Sequence, residues 1–412
     1  MKLLHISDLH LGKRINDFSM IEDQKFILAK IEEIVERERP DAILIAGDIY
    51  DRSIPSTEAM EVFERFLCHL SDGGNQVFVI SGNHDSAERL SFGRALMEGS
   101  GIHIAPAYGS AAAGANAEGT THFALQDQYG TVDLYLLPFV KPANVRHALV
   151  RSGRMSEDEA AGIDTYAKAL AAAIAAMDIP AKAAEDSTRR SVLVAHQFVT
   201  GAATCESEDV IVGGLDNIDA DVFDAFDYVA LGHLHGPQAL GPKRNIRYSG
   251  TPLKYSFSEL AHQKSVTIVE LGAKGDAGAE ETGGAELEIR TIPLEPLREW
   301  ADLRGTFEQV TNEAFLKKTD TDAYTRITLL DEDDVPEAIA RLKTYYPNLM
   351  NLRYDNKRTQ AENDLSDGGE LKQRSEIELL EELFEKQNNA EMSQRQKDLA
   401  KGILETIKEE WE

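Results

Sequence analysis

The chain has 412 residues, 42% hydrophobic and 28% charged, with 43 Lys and Arg against 71 Asp and Glu, a formal net charge of −28. That apolar share excludes wholesale disorder and a fibrous repeat, and the length has room for one large core plus one or two smaller units. The acidity argues against gripping nucleic acid by bulk charge, which relies on clustered Lys and Arg, but leaves nucleic-acid chemistry open. The two cysteines, Cys68 and Cys205, are far apart, which argues against a disulfide framework or a thiolate zinc site. Cys68, inside an expected helix, reads as a small buried apolar residue. The stretch from Met1 to Asp8 is too short for a signal peptide, and no run approaches the ~20 apolar residues of a membrane span. The expected location is cytoplasmic, with no membrane partner.

In chain order, residues 3–6 read as a strand. Residues 21–35 read as a helix, with Phe26, Ile27, Ile31, Ile34 and Val35 at helical spacing. Residues 42–46 and 77–80 are further strands, separated by a helix over 56–70. This βαβαβ order predicts parallel pairing with helices packed on the sheet. Residues 105–120 are rich in Gly and Ala and read as a surface loop or insertion. A strand is expected at 132–137 and one Ala-rich helix at 156–177. Strands at 192–195, 228–231 and 266–271 follow, then a Gly-, Ala- and Glu-rich linker or long hairpin loop over 272–285. A smaller α/β unit is expected from about 288 to 353, with a strand at 324–330 and a helix at 336–345. The final segment, 376–412, has helical stripes, Ile377, Leu380 and Phe384, then Leu399, Ile403, Ile407 and Trp411. Such a stripe after a polar stretch suits either packing on its own domain or docking to a partner.

Five short clusters each follow directly on an expected strand: Asp8-Leu9-His10; Gly47-Asp48-Ile49-Tyr50-Asp51; Gly82-Asn83-His84-Asp85; Ala195-His196; and Gly232-His233-Leu234-His235. In open α/β sheets, sites form beyond the carboxyl ends of strands, so five ends on one edge can converge on a single crevice. The glycines before Asp48, Asn83 and His233 suit tight strand-to-loop turns. Asp, Asn and His are metal-ligating types that suit Mn²⁺, Fe or Zn²⁺ better than Ca²⁺. Residues with one between them, as in Asp8/His10 and His233/His235, project to one side of an extended segment. There are enough donors for two ions, which about 3.5–4 Å apart would orient a phosphate and offset charge on entering and leaving oxygens. Singly, each cluster has an ordinary structural use: Asp51 suits a helix N-cap, and Asn and Asp favour turns. The conjunction, in this order and at strand ends, argues for chemistry. His5, His69, His103, His122, His147 and His262 lack ligand-like companions and read as packing or surface residues.

The order DxH, GDxxD, GNHD, H, GHxH resembles the calcineurin-like metallophosphoesterase family. The stretches His5 to Gly12, Gly82 to Ser86 and Tyr248 to Glu259 are similar, within it, to the nuclease subunits of bacterial SbcCD complexes. The likeness covers about residues 1–270 with specific motifs. Beyond them it rests on general layout, and the 105–120 insertion and strong acidity depart from many relatives. It implies an α/β fold, a sandwich of two mixed sheets flanked by helices, with a nuclease domain over 1–275. A small α/β capping, DNA-contacting domain would follow over 286–353, and a helical partner-docking segment over 376–412. It implies that Asp8, His10, Asp48 and His235 bind one metal, and that Asp48, Asn83, His196 and His233 bind a second, with Asp48 bridging. His84 would be the catalytic histidine, contacting the phosphate and assisting the leaving 3′ oxygen, with Asp85 orienting it. The implied cofactors are two divalent ions, Mn²⁺ with Mg²⁺ a poorer substitute.

The implied function is a DNA nuclease, a 3′→5′ double-strand exonuclease and hairpin or blocked-end endonuclease in replication, recombination and repair. Its partners would be an SbcC-type ATPase in a heterotetramer, double-stranded and hairpin DNA, and a second copy of this chain. Two other readings compete: a phosphoprotein phosphatase or nucleotide phosphodiesterase, and an inactive scaffold. The region after residue 285 favours the nuclease over a small-molecule esterase, and the full ligand set argues against a scaffold. Two divalent ions bring four positive charges against the two negative ones of Asp8 and Asp48, so the centre is expected to be cationic within an acidic chain. The isolated chain is expected to hold DNA weakly.

Overall fold

A computed structural model describes residues 1–110, 120–208, 218–275, 285–356, 392, 393, 396 and 397. The first sheet contains β1 (Lys2–Ile6), β2 (Ala42–Ala46), β3 (Gln76–Ile80) and β4 (Ile102–Ile104). The second contains β5 (Thr121–Asp127), β6 (Gly130–Leu137), β7 (Arg190–His196), β8 (Tyr228–Gly232), β9 (Gln238–Leu240) and β10 (Ile246–Tyr248). Two more strands, β11 (Ser265–Lys274) and β12 (Ala285–Pro293), complete the first sheet, giving the order β12-β11-β1-β2-β3-β4. The second runs β9-β10-β8-β7-β6-β5. Strands β1 to β3 pair in parallel, as expected, β4 continues the parallel run, and β11 joins β1 antiparallel, so the sheet is mixed.

The central strands are apolar on both faces because each face is covered. In β2, Ala42, Leu44 and Ala46 join a core shared with Leu134, Leu136, Val192, Val194, Tyr228 and Ala230 of the second sheet. The intervening Ile43 and Ile45 face α1 (Ile21–Glu38) and α2 (Thr57–Asp72) through Ile27, Ile31, Val62, Phe66 and Leu70. The second sheet does likewise: Leu193, Ala195, Val229 and Leu231 pack under Ala148, Leu149, Leu170 and Ala173. Period-two alternation thus divides each strand between an inter-sheet core and a helix-covered core. The result is a sheet sandwich flanked by helices.

Four local expectations are corrected. The helix expected over 156–177 is two, Glu157–Ala161 and Tyr166–Ala175, because Ser156 and Thr165 each cap a separate start. Cys68 is exposed: α2 turns Val62, Phe63, Phe66, Leu67 and Leu70 inward, which puts position 68 on the outer face. The helix expected at 336–345 covers only Ala338–Leu342. Residues 288–293, expected to open the smaller unit, belong to β12, which pairs antiparallel with β11; Gly272 to Lys274 extend β11. The helical segment 376–412 lies outside the described residues except for 392, 393, 396 and 397, as do 111–119 of the Gly/Ala stretch and 276–284 of the linker.

The strands β13 (Trp300–Gly305), β14 (Tyr324–Leu329) and β15 (Leu349–Tyr354) form a third sheet in that order. By compactness the chain divides into two units. The first comprises Met1–Leu303, Val310–Ile327 and Glu337–Leu352, and every motif residue lies in it. The second comprises Arg304–Gln309, Thr328–Pro336 and the described part of Arg353–Glu412. Within the second, Phe307 N donates to Asp331 and Asn356 Nδ2 to the Asp331 carbonyl. No helix among the described residues is long and apolar enough to cross a membrane.

Candidate metal centre

The five motif-bearing strand ends come from two sheets rather than one edge. Parallel neighbours β1, β2 and β3 deliver Asp8/His10, Asp48 and Asn83/His84. Parallel neighbours β7 and β8 of the facing sheet deliver His196 and His233/His235. The loops after β1 and β2 run side by side, with Asp8 N bonded to the Gly47 carbonyl and His10 N to that of Asp48. Asp8, His10, Asp48 and His233 all have positive φ, at 54°, 45°, 50° and 106°. Backbone strain of this kind collects at functional sites, where the surrounding structure over-determines the conformation.

Possible donor atoms of Asp8, His10 and His235 lie within 4.8 Å of one another, as do those of Asp8, Asp48 and His196. Asp48 Oδ2 stands between the two groups, 3.7 Å from His10 Nε2 and 3.3 Å from His196 Nε2. Asn83 Oδ1 lies 2.9 Å from His196 Nε2 and 3.0 Å from His233 Nδ1. All seven sequence-expected ligands therefore meet at one place. His84 stands at the rim, its side chain 20% exposed and its Nε2 4.0 Å from Asp48 Oδ2. The donor set fits divalent cations: carboxylate, amide oxygen and imidazole converge around Asp48.

The motif glycines serve close approach more than turning. Only Gly47 of the three has a positive φ. A Cβ at Gly82 would sit 2.1 Å from Asp48 Oδ1, and one at Gly232 would sit 1.9 Å from the Ala46 carbonyl oxygen. Backbone packs here where a side chain would displace a ligand.

Asp85 is spent on backbone donors: its carboxylate accepts from the N–H groups of Ile49, Tyr50 and Gly82. Its hold on His84 therefore runs through the turn. The His84 ring nitrogen Nδ1 faces the Asp51 carbonyl at 3.1 Å, which leaves Nε2 pointing to the site. Asp51 is not a helix cap, a role taken by Ser56; its carboxylate meets Lys13 at 2.7 Å and lies 3.8 Å from His10 Nδ1.

Sequence reasoning missed the supports behind the ligands. Gln24, buried on the apolar face of α1, donates to the His10 carbonyl and to Tyr255 Oη, and Tyr255 donates to the Leu9 carbonyl. A polar residue within an otherwise apolar helical stripe was the available signal. Ser207, Glu208, Glu259 and Lys264 surround His235; of these only Glu259 lay within a recognisable motif, and without a role.

Burial sets the charge states. It lowers His233 to about 3 and His10 well below the ordinary imidazole value, keeping both in the neutral form that can bind a metal. Burial, with Asp48 adding to it, raises Asp8 to about 6. Burial also opposes charge on Asp48 and His196, but their mutual attraction outweighs it, lowering Asp48 and raising His196 to about 9. Three of the remaining histidines have structural roles: His5 is buried against Tyr228, His103 stacks on Phe78, and His122 pairs with Asp133.

The family profile of calcineurin-like phosphoesterases matches residues 1–237, and that of a type 5 capsule protein repressor C-terminal domain matches residues 293–388. The chain is 29% identical over 414 residues to the SbcD component of the nuclease SbcCD of Staphylococcus epidermidis, covering 99% of each. A solved dimetal phosphatase from Danio rerio gives a TM-score of 0.39 at 12% identity, covering 71% of this chain and 99% of that one. With that profile over more than half of the chain, and the candidate donors gathered at the strand ends of a two-sheet sandwich, the chain belongs to the calcineurin-like phosphoesterase family.

Proposed function

We propose that the chain is the nuclease component of an SbcCD-type complex, a Mn²⁺-dependent enzyme of the cytoplasm that hydrolyses DNA phosphodiesters from 3′ ends and at hairpins. The observation that carries this reading is the meeting of seven donor residues around Asp48, with His84 on the rim, in a chain alike from end to end to a component of the nuclease SbcCD. Asp8, His10, Asp48 and His235 would hold one divalent ion, and Asp48, Asn83, His196 and His233 the other, with Mn²⁺ preferred over Mg²⁺ by the imidazole-rich set. Bound there, two divalent ions neutralise the phosphate and lower the pKa of water. With Nδ1 donating to the Asp51 carbonyl, His84 in its imidazolium form would deliver the Nε2 proton to the leaving 3′ oxygen and return to the neutral Nδ1–H ring. Asp85 keeps the loop of His84 against that of Asp48.

The partners follow from surface and charge. Ile54, Met60, Phe92 and Leu96 are 68%, 44%, 84% and 87% exposed and flank the groove beside α2. These exposed apolar side chains would suit a two-fold contact with a second copy, among the charged Glu61, Glu64, Glu88 and Arg89 that also line the groove. Of residues 286–353, those after β12 would form the DNA-contacting capping domain. Residues 376–412 would dock the ATPase in a heterotetramer that supplies much of the grip on DNA.

The decisive experiment incubates labelled hairpin DNA and Mn²⁺ with the protein, with and without its ATPase partner, beside a His84→Gln variant. Cleavage that needs metal and disappears in the variant is expected. Turnover of a phosphopeptide or cyclic nucleotide with no DNA cleavage, even with the partner, would overturn the reading.

A further inference from the structure

Behind His235 lies a hydrogen-bonded network, half-buried at Ser207 and Glu208 and fully buried at Glu259, that the ligand set does not include. His235 Nδ1 and Ser207 Oγ are 2.7 Å apart, and Ser207 donates onward to Glu259 Oε1. Glu259 is fully buried, and Oε1 also accepts from Tyr255 N. Its other oxygen pairs with Lys264, 4% exposed, whose remaining protons go to the His235 carbonyl at 2.8 Å and Thr251 Oγ1 at 2.6 Å. The His235 N–H donates to Glu208 Oε1 at 2.6 Å. The ligand is thus held by its backbone donor, its carbonyl and its far ring nitrogen.

The network has one consistent direction. Glu259 is surrounded by donors and can only accept, so the Ser207 hydrogen points to Glu259. Ser207 Oγ then accepts from His235, which places the proton on Nδ1 and the free lone pair on Nε2, facing His10 Nε2. Glu259 is 3.8 Å from His235 Nδ1, too far to bond directly, so the serine is the necessary bridge.

We propose that Ser207 and Glu259 are positioning residues that set the tautomer and orientation of His235 and thereby the affinity of the ion it holds. Both act on His235 from its Nδ1 side, opposite the Nε2 that faces His10. The assignment rests on the metal-centre reading above. An outer partner of a ligating histidine changes metal affinity by about 10–100-fold.

The test is a Mn²⁺ titration of the full chain, followed by the electron paramagnetic resonance signal of the free ion, with near-ultraviolet circular dichroism as a folding control. Wild type should bind two ions. Ser207→Ala should weaken one about 10–100-fold and leave the other unchanged, and Ser207→Thr, which restores the hydroxyl, should recover both. Ser207→Gly carries the same comparison if the alanine variant does not fold. Wild-type affinity at both sites in the variant, equal weakening of both, or no recovery with threonine would overturn the role of Ser207 alone. A wild-type chain that binds fewer than two ions would instead overturn the metal-centre reading.

Discussion

The Nε2 atoms of His10 and His235 face each other across 3.2 Å, both rings buried. Two nitrogens each about 2.1 Å from one ion, at roughly right angles, stand about that far apart. With Asp8 beside them, the pair is arranged for a shared cation. Without one, the protein must keep the raised Asp8 carboxyl beside the buried His10 imidazole. Adding Mn²⁺ should therefore raise the melting temperature, by about 2.7 kcal/mol of stability at a hundredfold excess over Kd, and chelation should reverse it. Scanning fluorimetry with and without chelator checks this, and His235→Ala should blunt the gain.

His84 stands at the rim, with its Nδ1 at a backbone carbonyl rather than in the ligand cluster. His84→Gln should lower kcat by about 10²–10⁴-fold while the chain still binds two ions. Single-turnover kinetics beside Mn²⁺ stoichiometry separates the two effects. Loss of an ion in the variant would assign His84 to the ligands instead.

Gly232 has no room for a side chain: a Cβ would fall 1.9 Å from the Ala46 carbonyl oxygen and 2.7 Å from His196 Nδ1. Gly232→Ala should cost about 1–3 kcal/mol, as overpacking does, and weaken the ion beside His196. Gly99→Ala, where nothing lies within 4 Å, is the control and should be close to neutral. Urea midpoints for the two variants decide the point.

Asp133 is held by Arg189 through both carboxylate oxygens and by His122 at 2.7 Å. Burial opposes its charge, but those donors prevail and lower it from 3.8 to about 2. Because the folded value lies below the unfolded one, the stabilisation is complete above about pH 4 and lost as pH falls towards 2. Asp133→Asn should cost about 1–3 kcal/mol at neutral pH by removing the charge and replacing one of the two oxygens that Arg189 bonds with an NH₂ donor. Melting curves of the two proteins should converge as pH falls through that window.

The surfaces assigned to partners make separate predictions. Phe92→Glu with Leu96→Glu should halve the molecular mass in sedimentation equilibrium without changing metal binding, since the charges meet across a two-fold axis. Deleting residues 376–412 should abolish co-purification with the ATPase and leave both ions bound. A monomeric wild type, or undiminished co-purification, would rule out the respective contact.

Much of this was readable along the chain. The β1, β2, β7 and β8 strands declared themselves by apolar runs because both of their faces are covered, and the chemical residues are covalent neighbours of those strand ends, so local pattern picks them out. Cys68 and the divided helix at 156–177 went astray where the helical face and a second N-cap settle the matter. What sequence could not supply is distance. His10 and His235 are 225 positions apart, and His196 and Ala46 are 150 apart. Their meeting depends on one sheet delivering three ligand loops and the facing sheet two. The supports Gln24, Ser207, Glu259 and Lys264 have no periodicity or spacing that ties them to a histidine. They are defined by donors and acceptors that must be satisfied once water is excluded, a constraint that exists only after the sandwich has closed.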